Sequence, residues 1–87
     1  MIDRKTVMQA AEALEGSAVL MPMSLDAALV GYIPKAGAAV GVYSYGTAIG
    51  VLVSASQDTE LDAEDRLLDA IRDARVGELE PVLIHTV

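Results

Sequence analysis

Carboxylates are the chemistry this sequence offers in quantity: 13 Asp and Glu against 6 Lys and Arg, with one histidine and no cysteine. Asp62, Asp65, Asp69 and Asp73 recur at intervals of three and four, which places them on one face if the segment is helical. Paired carboxylates catalyse when they converge from separate elements around a substrate, and a row on one helix face does not converge. A calcium loop needs alternating ligands, a turn glycine and a closing glutamate, and "DTELDAED" lacks the last two features. His85 shares a face with Leu83 and Val87 on an alternating strand, with no acid or nucleophile at a recognisable spacing, which favours a structural or surface histidine. Ser44, Ser54 and Ser56 lack a nucleophile-elbow context. The glycines follow neither the dinucleotide nor the P-loop spacing. Without cysteine there are no disulfides, thiolate metal sites or thiol nucleophiles. The expectation is a protein that is not an enzyme, with no cofactor and no metal.

Two readings remain for the aspartate row. Regularly spaced negative charge can imitate a phosphate backbone and occupy a basic groove on another protein. Alternatively it is a solvated face that keeps a small apolar domain soluble. Tyr43 and Tyr45, with Tyr32 nearby, are either interface anchors or fillers for a core with no Phe or Trp.

The charge distribution narrows the partners. Residues 58–80 carry nine carboxylates against Arg66, Arg72 and Arg75, and so hold six of the seven net negative charges. Direct binding to nucleic acid draws on Lys and Arg and is not expected here. The chain of 87 residues is short for a stable single core, yet 53% of it is hydrophobic, mostly through small side chains. More apolar surface than one core can hide predicts a homodimer. The opening "MIDRKTVMQ" carries no apolar h-region or cleavage site, so a cytoplasmic protein is expected.

The elements that would position these residues follow from periodicity. Asp3 is placed to cap a helix over 3–15, with Ile2 and Val7 as a hydrophobic staple, Val7, Ala11 and Leu14 as the apolar stripe, and Gly16 as the left-handed stop. "SAVLMPMSLD" reads as an apolar connection broken by Pro22. "AALVGYI" and "AVGVYSY", joined through "IPKAGA", read as a β-hairpin with Val40 and Val42 on one side and Gly41, Tyr43 and Tyr45 on the other. A last helix, capped by Thr59 or Asp62, presents Leu67, Leu68, Ile71 and Ala74 on its apolar side and ends at Gly77. Pro81 then opens a strand over 81–86.

The run from Ala36 to Gln57 has no charge and four glycines, which is long enough for a membrane span. Its serines and threonine, its single Leu and Ile, and its thin flanking charge weigh against one. In a water-soluble domain it divides near Ser44, where Tyr45, Ile49 and Leu52 fall at helical spacing. Gly46, Gly50 and the branched Val51 and Val53 weaken that helix, so propensity separates helix from strand only slightly.

"LDAALVGY", "VYSY" with an aliphatic segment after it, an acidic helix ending in Gly and a closing "EPVLI" resemble a set of small phage and prophage proteins. The resemblance covers about residues 25–85 and rests on the order of diffuse motifs. It implies a phage context, with strand to about Tyr43 and helix from about Ser44 to Ser54. The aromatic residues usual in the last helix of that set are absent from "LLDAIRDARVG". Together these readings give an α+β fold: a small antiparallel sheet of the hairpin and a C-terminal strand, packed against helices in the order α-β-β-α-α-β. The expected function is binding and inhibition of a host nucleic-acid-handling or defence protein, of restriction or CRISPR type, through Asp62, Asp65, Asp69 and Asp73 with Tyr43 and Tyr45. The expected partner is a host protein with a basic surface; the alternative is a small self-assembling structural or accessory module without a host target.

Overall fold

Helix α1, Arg4–Ala13, starts where its cap predicts: the Asp3 carboxylate accepts from the Thr6 backbone amide and the Thr6 hydroxyl, both at 2.9 Å. Those bonds hold the Asp3 carboxyl below the usual carboxylate range. The computed structural model describes residues 2–56 and 59–85. The chain continues through strand β1, Ala18–Val19, a 3-10 helix, Met23–Ala28, and strands β2, Leu29–Lys35, and β3, Ala38–Ser44. Helices α2, Tyr45–Ser56, and α3, Glu60–Ala74, precede strand β4, Val82–Ile84. The fold is α+β, with a mixed four-stranded sheet.

Strand β3 is the hub. β2 pairs with it antiparallel through a two-residue turn, Lys35 facing Ala38 across the hairpin. Ala36 and Gly37 both take positive φ, 50° and 78°, the conformation that matches the twist of the two strands. The opposite edge of β3 is shared end to end: β1 pairs with Ala39 and Val40, and β4 with Val42, Tyr43 and Ser44. Both of these strands run parallel to β3.

Three features of the fold depart from what the residues lead one to expect. The C-terminal strand exists but runs parallel to β3, because α2, α3 and the segment after them supply the long crossover that parallel pairing requires. Its last expected residue, Thr86, lies outside the described residues. The "SAVLMPMSLD" connection holds β1 and the start of the 3-10 helix, which also takes Ala27 and Ala28 from the expected strand. The left-handed residue after α1 is Glu15, at φ 55°, rather than Gly16. Gly16 meets a different demand: a Cβ there would lie 1.7 Å from the Gly37 carbonyl oxygen, so only glycine lets the end of α1 sit on the hairpin turn.

One sheet face, through Ala39 and Tyr43, packs against Val7 and Ala11 of α1, Met21, Leu25 and Ala28 of the second connection, Ala48 and Ile49 of α2, and Ala63, Leu67 and Ile71 of α3. On the other face Val19, Ala38 and Val40 are buried with Leu79 and Val82 packed against them. As far as Ser56, the uncharged run that begins at Ala36 resolves into strand, then helix, with the boundary at Ser44–Tyr45. Among the described residues no helix is long and apolar enough to cross a membrane.

Candidate protein-binding face

Helix α3 is built so that its two sides do different things. Thr59 caps it, its hydroxyl accepting from the Asp62 amide at 3.3 Å. Acidic residues in the first turn, Glu60 and Asp62, and Arg72 in the last suit the helix dipole. Ala63, Leu67, Ile71 and the half-buried Ala74 follow one another at intervals of four, four and three, and this stripe docks into the core. Asp62, Asp65, Asp69 and Asp73 are all exposed, on the side the sequence assigns them. Arg72 approaches Asp69 at 3.8 Å with both side chains more than two-thirds exposed, a weak pairing in high-dielectric surroundings.

Leu68 does not join the apolar stripe. It lies 100° round the helix from Leu67 and is 51% exposed, and Leu61, one heptad earlier, is 74% exposed. Sequence reasoning placed Leu68 in the core because adjacent leucines cannot be told apart by hydrophobicity. The signal that separates them is the stripe of Ala63, Leu67, Ile71 and Ala74, from which 61 and 68 both fall away.

The two tyrosines have different fates. Tyr43 is fully buried, and its hydroxyl accepts from the Met21 amide at 2.9 Å. It is a core residue and cannot be an interface anchor, which corrects that expectation. Burial pushes its phenol up, with the Met21 hydrogen bond acting in the opposite direction. Arg4 completes this polar cluster: its guanidinium donates to both Asp26 oxygens at 2.9–3.1 Å and to the Met21 carbonyl. Tyr45 opens α2, just after Ser44, whose hydroxyl accepts from the Thr47 amide at 3.4 Å. It is half-buried, donates its hydroxyl hydrogen to Glu64 of α3, and stacks on His85 with ring centroids 4.5 Å apart. The Glu64 bond raises the Tyr45 phenol. Tyr45 therefore clamps α2 to α3 beside the end of β4, and of the two tyrosines it alone has surface to offer.

Among the described residues, no cluster of three His, Cys, Asp or Glu side chains is arranged to hold a metal ion. No family model, curated protein or solved structure matches the chain.

Proposed function

We propose that the protein acts by binding another protein, with the acidic face of α3 seated on a basic surface. The observation that carries this reading is the exposure of Asp62, Asp65, Asp69 and Asp73 together on a helix whose packing is already satisfied on its other side. Along α3 their carboxylates recur roughly every 4.5–6 Å, a row that attracts a surface that holds phosphates. The concrete version follows the resemblance to phage proteins: in a host cell, the chain inhibits a nucleic-acid-handling or defence protein by occupying its basic groove. Tyr45, next to Glu64, lies at one margin of this face. A pulldown from host extract tests the reading. It should retrieve one basic complex at low salt and lose it at high salt, and the variant with Asp65, Asp69 and Asp73 changed to Lys should retrieve none. Recovery that is unaffected by both salt and charge reversal would contradict it.

A second reading, self-assembly as a homodimer, is favoured by a different surface. On the outer strand β2, the exposed Tyr32 and Pro34 border an apolar depression with Ala10, Ala13 and Leu14 of α1, while the exposed Ile33 lies on the other sheet face. Between Leu29 and Lys35 the only charge is Lys35, so two copies can meet there without the repulsion that α3 would create. Pro34 lacks an amide and the register shifts between Leu29 and Gly31, which blunts the strand edge. Such a dimer joins side-chain surfaces rather than extending the sheet. Sedimentation equilibrium at tens of micromolar distinguishes the dimer from a 9.1 kDa monomer.

A further inference from the structure

We infer that Leu61 and Leu68 are the apolar anchors of the α3 face, and that its occupant is a basic amphipathic helix of the partner protein. This rests on the reading of α3 as a binding face and specifies what the face takes. Both leucines are exposed, at 74% and 51%. They lie one heptad apart, about 10.5 Å along the axis and within about 20° of each other round it. Isolated exposed leucines are common on protein surfaces and need no explanation. Here two fall on one line of a helix whose core stripe is complete without them, and the charges bordering that line are mainly carboxylates, with Arg72 the cation among them. Glu64 lies on the side nearer the core; Arg72, then Asp65 and Asp69, lie on the side nearer solvent, with Arg72 drawn towards Asp69.

Charge decides among the occupants. Residues 60–74 carry six carboxylates against Arg66 and Arg72. A second copy packed here would bring two such sets together, so the leucines do not form a self-interface. A helix with leucine-sized residues at i and i+7, bordered by Arg or Lys, satisfies both features at once: apolar anchors enter the Leu61–Leu68 line and its cations face the carboxylates. Long-range attraction to the carboxylates sets the rate of encounter, and desolvation of the leucines lengthens the residence time.

The test uses the full chain and two synthetic peptides. One is an arginine-rich helical peptide with leucines seven residues apart, and its twin carries glutamine in place of those leucines. Wild type should bind the leucine peptide at least about tenfold tighter than the twin, as burial of even one leucine side chain gives that much. The double variant Leu61→Gln/Leu68→Gln should bind both peptides equally, at the level of the twin, with unchanged circular dichroism. Leu61→Ala/Leu68→Ala, a milder change at the same exposed sites, should do the same. Equal binding of both peptides by wild type, or a leucine preference that survives in the variants, would overturn the inference and leave the acidic face standing. Binding of neither peptide at low salt would remove the acidic face itself. A dimer that dissociates in the glutamine variant would show that a second copy is the occupant.

Discussion

Helices α1 and α3 are both amphipathic and both capped by an oxygen side chain, yet they use their charge in opposite ways. In α1, Arg4 turns inward to Asp26 and the Met21 carbonyl, and Met21 in turn donates to Tyr43. Those contacts tie the first helix, the 3-10 segment and the central strand together. In α3 the aspartates point to solvent, and the ion pair of Asp69 with Arg72 is long and exposed. Charge that is satisfied internally stabilises a fold, and charge left at the surface is available to a partner. The contrast is the basis on which α3, rather than α1, is proposed as the binding surface.

The largest effects should come from the buried sides. Leu67→Ala should lower the free energy of unfolding by about 2–5 kcal/mol, whereas Leu68→Ala, one residue on, should change it by no more than about 0.5 kcal/mol. Urea denaturation of the two variants measures this, and equal losses would erase the distinction between the two sides of α3. Next in size, Tyr43→Phe leaves the buried Met21 amide without its acceptor and should cost about 1–3 kcal/mol.

The same tyrosine gives a pH dependence. Its phenol is raised in the folded protein, so its contribution is fully present below the unfolded value near 10 and is lost as pH climbs through the higher folded value. Stability should therefore fall above about pH 10, and less steeply in Tyr43→Phe; Tyr45, raised by Glu64, contributes to the remaining slope. Identical alkaline profiles for wild type and Tyr43→Phe would mean the buried hydroxyl is not coupled to folding. Smaller still, Ala36→Gly should raise stability by about 0.5–1 kcal/mol, because alanine at φ 50° is strained where glycine is not.

Much of this architecture was legible in the residues, and the exceptions have physical causes. Asp3 with its staple announced α1, Thr59 announced α3, and Ser44 marked the change from strand to helix within an uncharged run. These signals are local, made by a side chain and a backbone only a few residues apart. Strand β1 has two residues and so no period to detect. The direction of β4 depends on how far the crossover carries the chain, which no local pattern encodes. The acidic side of α3 could be read from spacing alone. Its leucines were harder to sort: hydrophobicity does not separate Leu67 from Leu68, and only the spacing of Leu67 with Ala63, Ile71 and Ala74 does. Tyr43 and Tyr45, two residues apart, went to core and surface because the strand ends between them.

Charge reversal tests most directly whether the carboxylates of α3 meet a basic protein surface. Asp65→Lys/Asp69→Lys/Asp73→Lys should leave the circular dichroism intact and each site's stability within about 0.5 kcal/mol, since all three positions are exposed. In a phage-protection assay, where the wild-type protein is expected to suppress a host defence, the folded triple variant should lose that suppression completely. A folded triple variant that suppresses the defence as well as wild type does would show that the acidic face only solvates the helix.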